Sequence, residues 1–229
     1  GRVPLGLRSQ NVCALSDLRE VAMTALVPLP VRFGRERCGD LEHAESLEWL
    51  VTNGAGGFAS GTVAGPRTRR YHGLLVAALD PPATRTVMAA EVHEILQVAD
   101  HEVPLHASRW HDDTVSPRGY EHAEAFWLDG AVPAGRFCVG EVALEKRIFM
   151  VPGKNATVVQ YRLARGRPAR LTVKVLAAYR DVHATTHAGG WQMEVTQRSG
   201  AVQVVPLPGG RPLRISSVAM TIEPAHSWY

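Results

Sequence analysis

Short apolar runs recur at regular intervals along this chain, and residues rich in glycine, proline and asparagine separate them. One run, residues 74–79, begins after Gly73 and stops at Asp80. Runs of this length between turn residues are typical of β-strands, and no long pattern with the 3.6-residue period of a helix is present. Further strands are predicted at 48–52, 86–98, 137–142, 143–151, 157–163, 169–177, 191–197, 202–206 and 213–222. The pattern predicts an all-β fold, an antiparallel β-sandwich with few short helices.

The first thirty residues differ from the rest. Ser16 is placed to cap a short helix, and Pro28 and Pro30 end it. We therefore predict two regions, a loosely attached and flexible N-terminal extension at residues 1–30 and a β-sandwich domain at residues 31–229.

Composition narrows the class of protein. With 229 residues, of which 45% are hydrophobic, the chain is long enough for one large all-β domain. The net charge of +3 is small and scattered, which argues against nucleic acid as a partner. The densest basic stretch contains Arg67, Arg69 and Arg70.

The number of cysteines and the hydropathy of the chain indicate the cellular compartment. Cys13, Cys38 and Cys138 are far apart and form no CxxC motif, which fits a reducing compartment. No apolar run approaches the ~18 to 20 residues of a membrane span, and no secretory signal is visible. A cytoplasmic protein without a membrane partner is the expectation.

A glycine-rich segment at residues 52–62 resembles nucleotide-binding motifs in its spacing. Gly54, Gly56 and Ala59 match a relaxed dinucleotide fingerprint, but that motif needs a helix directly after it. Gly61 and Gly65 oppose such a helix, and the lysine of a phosphate-binding loop is missing. We predict a tight hairpin instead, in which the glycines allow positive φ, and we expect no cofactor.

The next segment joins arginine, tyrosine and histidine side chains. Arg69, Arg70, Tyr71 and His72 combine planar donors with aromatic faces, which suits a hydroxylated or anionic ligand. From this chemistry alone, the favoured alternative is a salt-bridged strand edge.

No pair of residues is predicted to be catalytic. The adjacent carboxylates of Asp112 and Asp113 would point to opposite faces of a strand. Glu91 and His93 share a strand face, which predicts a surface pair.

The histidines predict no metal site either. His183 and His187 have the spacing of metal ligands on a helix, but glycines follow them directly. His101, His106 and His111 lie in a polar stretch and are predicted to be solvated.

The segments EWLVTNGAGGFASGT at residues 48–62 and TRRYHGLLVA at residues 68–77 carry a resemblance. Together they are similar to the N-terminal domain of bacterial and archaeal glycogen debranching enzymes of the amylo-α-1,6-glucosidase type. Residues 32–40 resemble that family's opening strand, and residues 179–183 its Tyr-Arg-Asp-x-His segment. The resemblance covers about residue 31 to the end.

The resemblance implies a supersandwich-like module that packs on a catalytic (α/α)6 toroid. In the family the toroid carries the carboxylates that hydrolyse α-1,6 branch points of glycogen. We expect the toroid to be absent from this chain, so the chain alone is expected to be non-catalytic although its parent family is a glycoside hydrolase. The alternatives are a free-standing carbohydrate-binding or regulatory protein and a nucleotide-binding enzyme.

The resemblance also implies a set of site residues at the rim of the toroid. They are expected to contact either α-glucan (glycogen or maltooligosaccharide) or the toroid itself, and an exposed toroid-facing patch would allow a homodimer. Trp127 and Trp191 are weaker candidates, more typical of a core. The expected site residues are Asn53, Arg69, Arg70, Tyr71, His72, Arg180, Asp181 and His183.

Overall fold

A computed structural model describes residues 30–81, 84–186, 193–198 and 200–225, all but Pro30 in the unit from Val31 to Tyr229. The predicted extension at 1–30 lies outside this description except for its last residue. Two short helices, α1 (Arg35–Cys38) and α2 (Leu41–Ser46), and one 3₁₀ turn, Gly119–His122, are present in the described residues. The strands there are β1 Arg32–Gly34, β2 Glu48–Thr52, β3 Phe58–Thr62, β4 Gly73–Asp80, β5 Thr84–Val98, β6 His101–Pro104, β7 Ala107–Arg109, β8 Val115–Arg118, β9 Ala123–Asp129, β10 Val132–Val139, β11 Val142–Met150, β12 Thr157–Arg165, β13 Arg170–Asp181, β14 Glu194–Arg198, β15 Ala201–Val205 and β16 Leu213–Ser216.

The strands form four antiparallel sheets. The first has the order β1-β9-β10-β11-β12, and the second has the order β13-β5-β4-β3-β2 with β6 paired to β5. A three-stranded sheet, β14-β15-β16, and a two-stranded hairpin, β7-β8, complete the described strands. The prediction of an all-β antiparallel fold with few short helices is confirmed.

The sheets bury their apolar faces against one another. Leu96 of β5 and Leu144 of β11 share a cluster, which joins the two large sheets. A second cluster joins β2, β11 and β15 through Val51, Met150 and Val202. Each fully buried side chain of this size contributes about 1.5–3 kcal/mol relative to exposure, so the apolar contacts between sheets hold the sandwich together.

Several boundaries differ from the sequence prediction. The resemblance predicted a strand from residue 32 through Asp40, but β1 ends at Gly34 and α1 follows. Asp40 instead caps α2, because its carboxylate accepts from the His43 amide at 2.9 Å. The adjoining runs at 137–142 and 143–151 are the two arms of a hairpin that turns at Gly140, which has φ of 56°.

Strands β6 to β9 were not predicted. Strands β6, β7 and β8 have only three or four residues each, and β7 and β8 pair over few of them, so they leave little periodicity in the sequence. No helix in the described residues is both long and apolar enough to cross a bilayer.

Candidate functional site

The glycine-rich turn between β2 and β3 is organised by a buried asparagine. Asn53 is only 3% exposed, and its Oδ1 accepts from the amides of Ala55 at 2.8 Å and Gly57 at 2.9 Å. Its Nδ2 donates to the Lys154 carbonyl at 3.0 Å and to Asn155 Oδ1 at 3.2 Å. Both polar ends of the side chain are therefore occupied within the fold.

Asn155 continues this network into the second sheet. Its Oδ1 accepts from the Ala78 amide at 3.1 Å, and its Nδ2 donates to the Ala78 carbonyl at 2.8 Å. A Cβ at Gly57 would lie 2.7 Å from both Asn53 Nδ2 and Asn155 Oδ1, so a larger residue there would displace these hydrogen-bonded amides. The two asparagines thus join the turn to β4 and to the β11–β12 connection.

The glycine turn is the predicted hairpin. Gly54 and Gly56 have φ of 73° and 90°, the positive range that glycine adopts at little cost. The element that follows is β3, which pairs antiparallel with β2. No helix N-terminus faces the turn, so the geometry of a dinucleotide site is absent from this part of the described structure.

Arg69 and His72 both face the carboxylate of Glu48. Arg69 Nε donates to Glu48 Oε1 at 2.5 Å, whereas His72 Nε2 lies 3.6 Å from the same oxygen. His72 is 3% exposed, and within the described residues its Nδ1 is buried without a hydrogen-bond partner. Arg69 therefore ties the β3–β4 connection to β2, and His72 lies buried beside the same carboxylate.

Arg70 and Tyr71 meet the end of β13, more than a hundred residues away in sequence. Arg70 Nη1 donates to the His183 carbonyl at 3.0 Å, and the Tyr71 hydroxyl lies 3.3 Å from His183 Nδ1. The tyrosine and imidazole rings pack edge to face at 5.6 Å between centroids. Arg70, Tyr71 and His183 are called the aromatic–arginine patch below.

Arg180 and Asp181 hold the backbone that carries this patch. Arg180 Nη2 donates to the Arg70 carbonyl at 2.5 Å, and its Nη1 donates to the Ala184 carbonyl at 3.0 Å. Asp181 Oδ1 accepts from the His183 amide at 2.8 Å. Arg180 therefore ties the turn after β13 to the β3–β4 connection, and Asp181 fixes the backbone of His183.

Sequence reasoning missed Arg85, which links the glycine turn to the patch. Its Nε donates to the Gly56 carbonyl at 3.0 Å, and its own carbonyl accepts from the Val182 amide at 3.0 Å. Nothing in the local pattern around Arg85 indicated this role, because both partners are distant in sequence. Glu48 was quoted in the resemblance, but its pairing with Arg69 was not foreseen.

The pKa shifts in this region follow burial and charge. Burial lowers the pKa of the His72 imidazole, and the nearby carboxylate of Glu48 opposes that shift only partly. Burial also lowers the pKa of Arg180, and the positive charges of Arg67 and Arg70 add to the effect. The hydrogen bond to Glu48 raises the pKa of Arg69.

Acidification is expected to lower the free energy of unfolding between pH 7.5 and 5.5. Burial lowers the pKa values of His72 and His106 in the folded chain, so the unfolded chain, with histidine pKa near ~6.5, binds more protons in this window. Stability is therefore fully present above about pH 6.5 and falls below it. Urea unfolding across this range tests the slope, which a double variant, His72→Gln with His106→Gln, should flatten. If the free energy of unfolding depends on pH equally in that variant, groups other than these two histidines cause the effect.

The other sequence candidates occupy different positions. Glu91 and His93 contact each other at 3.2 Å as predicted, but both are largely buried instead of lying on the surface. His106 is not solvated as predicted, because its ring stacks on that of His93 at 3.9 Å between centroids. Trp127 is partly buried and contacts the guanidinium of Arg136.

His187, whose spacing from His183 was weighed as a metal-ligand pair and rejected, lies outside the described residues, as does Trp191. Groups of three or more His, Cys, Asp or Glu side chains with metal-binding geometry do not occur among the described residues.

The fold and the site together define a class of protein, an antiparallel β module that presents a candidate binding surface. The chain is an antiparallel all-β module with an exposed patch of arginine and aromatic side chains. Residues 47–229 match the family model described as glycogen debranching enzyme N terminal, so the chain belongs to that family. The match includes the glycine turn and the aromatic–arginine patch. Searches of curated proteins and of solved structures each found no significant match.

Proposed function

We propose that this module binds α-glucan at the aromatic–arginine patch and presents it to the catalytic toroid of a glycogen debranching enzyme. In this proposal the module is non-catalytic and assists the hydrolysis of α-1,6 branch points. The observation that carries the proposal is the contact of Arg70 and Tyr71 with His183, which builds one exposed surface from two distant segments.

The chemistry of the patch suits a sugar. Tyr71 is 42% exposed, so it offers a large part of its ring to the apolar face of a glucose unit. Among the described contacts Arg70 donates one hydrogen bond, and its other guanidinium N–H groups supply donors for hydroxyl groups. Sites for small ligands typically combine such aromatic surface with a few placed polar groups.

The eight predicted residues divide into two groups under this proposal. Arg70, Tyr71 and His183 contact the glucan, and the remaining five support them. Arg69 is paired with Glu48, and the Arg180 guanidinium donates to backbone carbonyls. The supporting residues are Asn53, Arg69, His72, Arg180 and Asp181.

Arg70→Ala and Tyr71→Ala are each expected to weaken binding of maltoheptaose to the 229-residue chain by about fivefold or more, as loss of an important contact typically does. Isothermal titration calorimetry provides the affinity. Arg147→Ala is the matched control, because Arg147 pairs with Asp129 on the other large sheet. Its affinity should equal that of the unmodified chain.

The competing assignment is that the patch braces the contact between this module and the toroid. Tyr71→Ala in a full-length parent enzyme separates the two. Lowered thermal stability with unchanged substrate affinity would reject glucan contact and support bracing.

A further inference from the structure

A half-exposed tryptophan lies at the tip of the β7–β8 hairpin, outside the aromatic–arginine patch and the residues that support it. Trp110 follows β7 directly and is 50% exposed. Its indole Nε1 donates across the hairpin to the Ser116 carbonyl at 2.9 Å, and its amide donates to the Thr114 carbonyl at 2.8 Å. The only polar atom of the ring is thus occupied, so the exposed part of the ring is an apolar surface held in place.

The hairpin that carries Trp110 is rigidly attached. Arg109 donates from Nη2 to Glu45 Oε2 at 2.5 Å and from Nη1 to the Asp113 carbonyl at 3.0 Å. Ala107 is buried in a small apolar cluster, and Val115 packs against it. A ligand that stacks on the ring would therefore meet an already ordered surface and lose little binding free energy to ordering it.

The turn that follows Trp110 is polar. All four residues of the turn, His111, Asp112, Asp113 and Thr114, are exposed. The centre of a protein interface is instead a contiguous, largely apolar surface. In the described residues the other large, exposed apolar side chains lie outside this hairpin, at Val31, Leu50, Tyr71, Leu163, Leu207, Val218 and Met220. One ordered aromatic surface within a polar turn fits a sugar better than a protein partner.

We infer that Trp110 forms a second α-glucan-binding site. The indole face packs on the C–H face of a glucose unit, and the carboxylate oxygens of Asp113 and Oδ2 of Asp112 accept hydrogen bonds from its hydroxyl groups, since Asp112 Oδ1 already accepts from the Thr114 amide at 3.1 Å. The choice of ligand rests on the function proposed above, but the residues are independent of the aromatic–arginine patch. Two sites on one module would bind a branched polymer more tightly than either site alone through effective concentration.

The test uses the 229-residue chain and the variants Trp110→Ala, Trp110→Phe, Tyr71→Ala and Leu163→Ala. Retention in native gels that contain glycogen gives the polymer affinity, and circular dichroism establishes that each variant is folded. Trp110→Ala should reduce retention at least about fivefold, whereas Trp110→Phe, which keeps a ring, should keep most of it. Leu163→Ala removes another exposed apolar side chain, which lies on β12 and is 43% exposed, and should have no effect.

Maltoheptaose titrations followed by tryptophan fluorescence identify the ring directly. The unmodified chain should show a fluorescence change that Trp110→Phe abolishes and Tyr71→Ala preserves. If Trp110→Ala retains glycogen fully while Tyr71→Ala loses it, the second site is wrong and the aromatic–arginine patch stands. The reverse result supports Trp110 and rejects the patch as a glucan contact. If glycogen does not retain the unmodified chain, both the Trp110 site and the aromatic–arginine patch are wrong as glucan-binding sites.

Discussion

Glu94→Ala should lower the free energy of unfolding by about 3–5 kcal/mol, the range for removing one partner of a buried ion pair. Glu94 lies on β5 and is almost fully buried. Its Oε1 accepts from Lys146 Nζ at 2.5 Å and from the Tyr161 hydroxyl at 2.6 Å, both on the opposite large sheet. Without the carboxylate, the Lys146 ammonium group lies between two sheets without its counter-charge. Urea unfolding followed by circular dichroism measures the change.

Two variants show whether this effect comes from the unpaired charge. Glu102→Ala removes an exposed carboxylate on the neighbouring β6 and should change stability by less than about 0.5 kcal/mol. The double variant Glu94→Leu with Lys146→Met replaces the pair by apolar side chains and should recover most of the loss. Equal destabilisation in the single and double variants would show that the unpaired Lys146 charge is not the cause.

Asn53→Ala should lower the free energy of unfolding by about 2–4 kcal/mol. The substitution leaves the amides of Ala55 and Gly57 and the carbonyl of Lys154 without their partner, and each buried unsatisfied group costs about 1–3 kcal/mol before relaxation. The cost is reduced where water reaches the opened turn. Urea unfolding again provides the measurement.

The neighbouring Thr52 offers the matched control for this prediction. Its side chain is exposed on β2, so Thr52→Ala should have little effect on stability. Asn155→Ala should destabilise the chain by the same mechanism. Because the two asparagines share a hydrogen bond, the double variant should cost less than the sum of the single ones. Strict additivity would contradict a shared network.

Local signals in the sequence predicted most of the β-structure. The apolar run at 74–79 became β4, and the run at 157–163 became β12, because short buried strands need only alternating or continuous apolar residues between turns. The glycine turn was predicted for the same kind of reason, since positive φ at Gly54 and Gly56 is a local requirement. The strands β7 and β8 were not predicted, because their residue types do not favour a strand and only their pairing with each other makes them one.

The sequence predicted which residues belong to the candidate site, but it did not predict how they contact one another. The segments around Arg70 and His183 were both named from the sequence, yet nothing local indicated that Tyr71 and His183 touch. Nor did the sequence distinguish Asn53, whose polar atoms are occupied inside the fold, from Tyr71, whose ring is exposed.

Hydrophobic periodicity and turn chemistry by themselves determined that this protein is an antiparallel β-sandwich, because both act between residues close in the chain. Tertiary structure decided which polar side chains are buried, which are exposed and which meet. The pairing order β13-β5-β4 brings His183 to Tyr71 and Arg180 to the carbonyl of Arg70. The local pattern sets which face of each strand is buried, but it does not specify which distant strand becomes the partner.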